Sequence, residues 1–307
     1  MPDVGMPELS VIITSYNARE TITFCLESLH RQQTNNEFEI ILVDSSSDGT
    51  AELVGKRFPD VRSMTLPERK FCGDARNIGT AHAKADIFAF TDADCTVTED
   101  WVERILQAHK SEHLIIGGSV ANSKLCNVVG WAAYFTEFSQ WMPHSAAKPV
   151  TDVPGANMSY KRKVFEELGP FIEGTYCSDT EFHWRVNERG YRIRFMPQIC
   201  VNHLSLSGFR EFIKHEFHHG RSFGLVRRRR FTSTQQVLYA AGSFLIPAVL
   251  FARIVLCNIR NRLYWSRFLK SMPILLLGVS SWAFGECVAY TAWRKPSFET
   301  IKHRNKQ

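Results

Sequence analysis

Asp92-Ala93-Asp94 closes an apolar run, Ile87-Phe88-Ala89-Phe90-Thr91, and sets two carboxylates one residue apart at the end of an extended segment. Side chains at i and i+2 of a strand point the same way. Two carboxylates so placed can hold a hard divalent cation, Mg2+ or Mn2+, whose open positions accept the oxygens of a diphosphate. That chemistry implies a nucleotide-diphosphate substrate. A second acidic stretch, Asp44-Ser45-Ser46-Ser47-Asp48-Gly49, and a polar one, Thr14-Ser15-Tyr16-Asn17, close further apolar runs. His215-Glu216-Phe217-His218-His219 satisfies His-Glu-x-x-His, in which two histidines on one helix face bind zinc beside a glutamate base. It opens an alternative, a zinc hydrolase acting through His215, Glu216 and His219. The segment lies among basic and aromatic residues, with no clear third ligand after it.

These residues need a frame. Leu9 to Ile13 reads as a strand, followed by a loop and a helix on which Ile22, Leu26 and Leu29 recur at helical spacing. Phe38 to Val43 is the next strand, with a helix through Leu53 and Val54 after it. Val61 to Leu66 is a third, weaker strand, Gly73 to Lys84 an alanine-rich helix, and Ile87 to Thr91 the strand before the acidic pair. Strand–helix alternation at this spacing predicts an α/β fold with a parallel sheet. In open sheets of that kind ligands bind beyond the carboxyl ends of the strands. Here those ends are polar, so three loops are expected to converge on one crevice. A second half begins after a helix from Glu99 to Ser111. It contains a strand Leu114 to Val120, an aromatic-rich helical stretch Val128 to Trp141, a loop Pro143 to Pro154, a helix opening at Cys177-Ser178-Asp179 and a returning strand Arg192 to Met196.

Composition bounds the partners. The chain has 307 residues, 44% of them hydrophobic, enough to bury a substantial core. Its net charge of +6 is concentrated in Arg227-Arg228-Arg229-Arg230 and in the tail from Arg294 to Lys306, a pattern that suits anionic lipid or phosphate. No nucleic-acid-binding module is recognisable, so nucleic acid is not the expected partner. Eight cysteines are scattered without Cys-x-x-Cys spacing, which reads as a reducing compartment. The first residues carry neither a basic n-region nor an apolar h-region, so the globular part is expected in the cytosol.

In order and spacing, Ser10-Val11-Ile12-Ile13-Thr14-Ser15-Tyr16-Asn17, the Asp44 to Gly49 loop, Gly73 to Gly79 with Arg76 and Asn77, Asp92-Ala93-Asp94, Gly155-Ala156-Asn157 and Ser178-Asp179 resemble the family 2 glycosyltransferases. The resemblance spans about residues 8 to 205. It implies the GT-A fold, a nucleotide-diphospho-sugar transferase architecture in which a donor half and an acceptor half share a mainly parallel central sheet. Residues 1–115 would form the nucleotide-sugar half and 116–205 the acceptor half of the same domain.

Carried over by position, the resemblance makes Thr14 and Tyr16 nucleotide contacts. Asp44 becomes the acceptor for a ring N–H of the base, Arg76 a cation facing the diphosphate or base, and Asp92 a contact to the ribose or, through water, to the metal. Asp94 becomes the metal ligand, with His203 as a further one, and Gly155 and Asn157 belong to the acceptor site. Asp179 resembles the catalytic base of an inverting transfer, taking the proton from an acceptor hydroxyl. Ser178 stands where the family usually has an acidic residue, Thr14 where the commoner pattern has proline, and Glu181 is a second candidate for the base.

The C-terminal third reads differently. Residues 206–235 form a basic linker helix region, 236–295 a hydrophobic membrane-associated helical hairpin and 296–307 a basic tail. Val237 to Cys257 and Met272 to Trp293 each approach the roughly 20 residues that cross a bilayer. Arg253 and Glu286 interrupt them, and basic flanks on every side give no clean orientation. Arg253 is expected to snorkel towards headgroups and Glu286 to need a polar neighbour. The combined expectation is a metal-dependent transferase on the cytoplasmic face of a membrane, acting on a lipid-linked or glycan acceptor. A nucleotide-binding membrane scaffold without catalysis is the alternative from another class.

Overall fold

The computed structural model describes residues 6–123, 126–204 and 208–292. Trp293 and the basic tail 296–307 lie outside the described residues. In chain order the first half contains β1 (Leu9–Ser15), α1 (Ile22–His30), β2 (Phe38–Asp44), α2 (Thr50–Arg57), β3 (Arg62–Thr65), α3 (Cys72–His82), β4 (Ile87–Asp92), β5 (Cys95–Val97) and α4 (Trp101–His109). The second half contains β6 (Ile115–Asn122), α5 (Val128–Phe138), β7 (Lys148–Val150), β8 (Met158–Lys161), α6 (Arg162–Leu168), α7 (Ser178–Glu188) and β9 (Ile193–His203). Helices α8 (Phe209–Arg228), α9 (Ser233–Gly242), α10 (Ile246–Asn261) and α11 (Trp265–Thr291) follow.

All strands join one sheet in the order β3-β2-β1-β4-β8-β6-β9-β5, with β7 on β9. The parallel arrangement expected from strand–helix alternation holds from β3 to β4. Beyond β4 the sheet is mixed: β8 runs antiparallel to both β4 and β6, while β6 and β9 are parallel. β7 is a short strand inside the stretch expected to be loop, and β9 runs well past Met196.

β1 shows why the runs are β-rich and unbroken. Every one of its residues is buried, because helices cover both faces of the sheet. Side chains alternate across a strand, so Val11 and Ile13 pack with Leu26, Trp101 and Phe135 of α1, α4 and α5. Ile12 faces the other way, into a second core with Ala75, Val164 and Phe182 of α3, α6 and α7. The first core continues into the C-terminal helices through Phe212, Ile254, Phe268 and Leu275.

α8 and α11 pack backbone to backbone. A methyl at Gly220 would lie 2.1 Å from the Trp282 carbonyl oxygen, and one at Gly285 2.1 Å from that of Phe217. Ser233–Asn261, in which a 3-10 turn joins α9 to α10, and Trp265–Thr291 are long and apolar enough to cross a membrane by length and composition. The first is largely uncovered by protein, exposing Val237, Phe244 and Val249. Glu286 has the polar neighbours it required, Arg227 at 3.3 Å, Trp282 Nε1 at 3.3 Å and the Tyr290 hydroxyl. Arg253 donates to Gln140 beyond the end of α5, which ties this segment to the sheet domain.

Candidate active site

The ends of β1 and β4 lie side by side, with Thr14 in register with Asp92. Thr14 Oγ1 donates to Asp92 Oδ1 at 3.0 Å, and Arg76 NH2 of α3 donates to the same oxygen at 3.1 Å. Arg76 is 3% exposed, a buried cation rather than a solvated helix-face arginine. Gly155 closes over it: a methyl there would stand 2.7 Å from both Arg76 NH2 and Asp179 Oδ2. Glycine at 155 lets the backbone pass where any side chain would displace the guanidinium or the carboxylate.

The acidic pair is not on one extended segment, as its spacing implied. β4 ends at Asp92, the chain turns, and β5 starts at Cys95. The two carboxylates therefore keep different company. β5 runs antiparallel to β9 with Cys95 opposite His203, which brings His203 Nε2 to 3.5 Å from Asp94 Oδ2. Burial raises the Asp94 pKa, the His203 charge opposes this, and the Asp92 charge adds to the rise. Ligand atoms of Asp94, Cys95 and His203 lie within 4.8 Å of one another. The Asp94 carboxylate oxygen and the His203 imidazole nitrogen, 3.5 Å apart, are a donor pair that a divalent cation fits.

Asp179 sits in the first turn of α7, after the N-cap Cys177, and its Oδ1 accepts from the Thr180 backbone N–H at 2.9 Å. Its carboxyl pKa is raised, by burial first, with Arg76 pulling the other way and Asp152 adding to the rise. Ser178 is fully buried and turned to α3, where a methyl on Gly73 would lie 2.6 Å from its Oγ. Ser178 thus packs against the bare backbone of Gly73, an approach that a side chain at position 73 would block. Glu181, the second candidate base, is engaged with Arg185 at 2.9 Å and Arg230 at 3.6 Å and does not line the cleft.

Other expected contacts divide. Tyr16 stands half-exposed at the cleft with the Arg69 guanidinium 4.3 Å over its ring, so the face expected for a base is shared with a cation. Asp44 is fully buried; one oxygen accepts from Ser46, and Oδ2 has no partner. That open acceptor suits a ring N–H, although Ser15, its register partner, lines the cleft in its place. The structure does not bring Asn157 to the acceptor site. Its amide is spent inside the sheet, accepting from Trp101 Nε1 at 3.0 Å and donating to the Ser119 and Ile199 carbonyls.

Sequence reasoning missed Asp152, which lines the cleft and bonds His183 Nδ1, while His183 Nε2 meets the Tyr160 hydroxyl at 2.6 Å. Nothing local marked these three, which come from a loop, a helix and a strand. His215 and His219 do share a helix face, with rings 5.6 Å apart. The zinc-hydrolase geometry is not built, because His215 Nε2 turns to Glu137 of α5 at 3.1 Å and Glu216 is completely buried.

Thr14, Arg76, Asp92, Asp94, Gly155, Asp179 and His203 line one cleft of about 1810 Å³. Asp94 and Asp179 thus open on the same hollow. The family model described as Glycosyl transferase family 2 matches residues 10–169. The chain belongs to this family. As a family 2 glycosyltransferase it is 27% identical over 224 residues to glycosyltransferase AglE of Haloferax volcanii, an alignment covering 70% of this chain and 73% of that protein. It is 25% identical over 209 residues to poly-beta-1,6-N-acetyl-D-glucosamine synthase of Staphylococcus aureus, covering 64% of this chain and half of the synthase.

Two solved structures share the fold. Mannosyltransferase PcManGT from Pyrobaculum calidifontis, in complex with GDP-Man and Mn2+, matches with a TM-score of 0.58 at 17% identity, covering 90% of this chain and 86% of that one. S. aureus TarS 1-349, in complex with UDP-GlcNAc, matches with a TM-score of 0.56 at 17% identity, covering 96% and 100%. The GT-A-type mixed α/β sheet is therefore common to all three.

Proposed function

We propose that this family 2 glycosyltransferase moves a sugar with inversion from a nucleotide-diphosphate donor to a hydroxyl of a lipid-linked acceptor at the cytoplasmic face of a membrane. The observation that carries the reading is the shared cleft, which Asp94, His203 and Asp179 all line, with Arg76 paired to Asp92 and meeting Asp179 at Gly155. Thr14 and Tyr16 form the nucleotide end of the cleft, and Asp44 is the buried acceptor beside it. Arg76 sets a fixed positive charge beside the donor phosphates and holds Asp92 in place. Asp94 and His203 would hold Mg2+ or Mn2+, which when bound neutralises charge on the departing diphosphate.

Asp179 accepts the proton of the acceptor hydroxyl as its oxygen attacks the anomeric carbon opposite the leaving nucleotide. Asp152, braced by His183, lies near enough to raise the Asp179 pKa, which strengthens its hold on that proton. The same cleft is lined by Trp184, Arg227 and Arg230 and by Leu238 of α9, Leu245 of the 3-10 turn and Val249 and Leu250 of α10. A groove that turns from carboxylates through arginines to aliphatic side chains fits an acceptor with an anionic head on an apolar chain. The GDP-Man and Mn2+ bound to PcManGT support a nucleotide-sugar donor with a cation, and the poly-beta-1,6-N-acetyl-D-glucosamine synthase supports glycan synthesis.

The test is a screen of nucleotide sugars for cation-dependent protection against thermal unfolding, followed by transfer assays with polyprenyl-phosphate-linked and free glycan acceptors. Asp94→Ala is expected to lose donor protection. Asp179→Asn is expected to keep it and lose turnover. Donor protection that is indifferent to both cation and Asp94 would overturn the assignment.

A further inference from the structure

We propose that Glu137, His215 and Glu216 form a Zn2+ site that fastens α8 to α5 at the wall of the cleft. One ligand atom from each of the three lies within 4.8 Å of the others. Glu137 comes from the last turn of α5, and His215 and Glu216 are successive residues of α8. His215 Nε2 and Glu137 Oε1 already meet at 3.1 Å.

The decisive feature is Glu216. Its side chain is 0% exposed, and neither carboxylate oxygen has a hydrogen-bond partner. A buried carboxylate without a partner costs several kcal/mol unless it takes a proton or meets a cation. Here it faces a second carboxylate and an imidazole, which is a zinc donor set of one nitrogen and two oxygens. The His-Glu-x-x-His pattern thus supplies two ligands that are neighbours in sequence, and Glu137 takes the place of the second histidine. His219 Nδ1, also buried without a partner, is not among the converging ligand atoms.

The site has a structural consequence. α8 is the first helix after the sheet domain and carries α11 against it through Gly220 and Gly224. A cation tied to α5 fixes where the apolar helices stand relative to the cleft. The site shares no ligand with the proposed donor site of Asp94 and His203.

The experiment uses the full chain in detergent, stripped with a chelator and titrated with Zn2+ against a competing indicator, without nucleotide. It is run on Asp94→Ala/His203→Ala protein, so that the other donor group contributes nothing. One tight equivalent is expected, weakened by at least about 100-fold in Glu216→Gln and in His215→Ala, at or beyond the cost of losing a supporting partner of a metal ligand. Co2+ in its place is expected to give visible absorption that His215→Ala abolishes. Absence of a tight equivalent overturns the site, as does one that survives both substitutions. If His215→Ala does not fold, the near-isosteric Glu216→Gln decides alone, checked for fold by circular dichroism.

Discussion

Arg76 and Asp92 form a 3.1 Å ion pair in which the cation is buried and the carboxylate reaches the cleft. The pair joins α3 to the end of β4 and places a positive charge where two carboxylates, Asp92 and Asp179, both feel it. Removing the guanidinium strands a charged acceptor. Arg76→Met is expected to cost roughly 1.5–3 kcal/mol of stability, the usual range for a hydrogen bond to a charged group. Chemical denaturation of the two proteins measures this, and an unchanged midpoint would show the pair to be idle.

Asp179 titrates above an ordinary aspartate because of burial. A base must be unprotonated to act, so the acid limb of kcat/KM is expected above the usual aspartate range. Arg76 favours the charged form, hence Arg76→Met should move that limb to still higher pH. The stability sign is opposite: a carboxyl whose folded pKa is raised contributes most at low pH and loses this as pH rises through the folded value. Asp179→Asn is accordingly expected to raise the melting temperature at neutral pH while abolishing transfer. A melting temperature that falls there contradicts the burial argument.

Asp94→Ala should separate cation from nucleotide. Calorimetric titration of the donor with and without Mn2+ is expected to show a cation-dependent gain in affinity for the parent chain and none for the variant. His203→Ala is expected to reduce that gain by about tenfold or more. Equal gains in all three proteins would move the cation elsewhere.

His109, which does not line the cleft, offers a control. It is buried against the Ser159 hydroxyl at 2.9 Å, and its pKa is pushed down to about 3, first by burial. A depressed histidine stabilises above its unfolded pKa, and the contribution is lost as pH falls from about 6.5 towards 3, by up to about 1.4 kcal/mol per unit. His109→Gln is expected to flatten acid unfolding across that window, as read from denaturation midpoints at successive pH values.

The α8–α11 contact tolerates no side chain at its closest points. The atoms a Gly285→Ala methyl meets are backbone, so neither neighbour can swing aside. Overpacking of this kind costs roughly 1–3 kcal/mol, and thermal unfolding in detergent should register it. Gly242→Ala, where a methyl meets nothing within 4 Å, is the matched control and should be near neutral.

Much of the donor half was legible. Strand β1, with its β-branched run, and the polar ends at Thr14, Asp44 and Asp92 follow from alternation and turn chemistry that act over a few residues. Asn157 was misread because its motif neighbours line the cleft, and only burial tells that its amide is spent on Trp101. The Asp152–His183–Tyr160 chain was invisible, since its members carry no shared spacing.

By itself the amino-acid sequence determined the strand–helix order, the polar strand ends and the two apolar stretches near the C-terminus, all of which arise from local periodicity and side-chain chemistry. The tertiary structure alone decided that Asp92 is held by Thr14 and Arg76, that Arg76 stands between Asp92 and Asp179, and that Glu216 is buried beside Glu137. Those partners are brought together by sheet order and strand register. Register depends on how whole faces pack, and no short pattern encodes it.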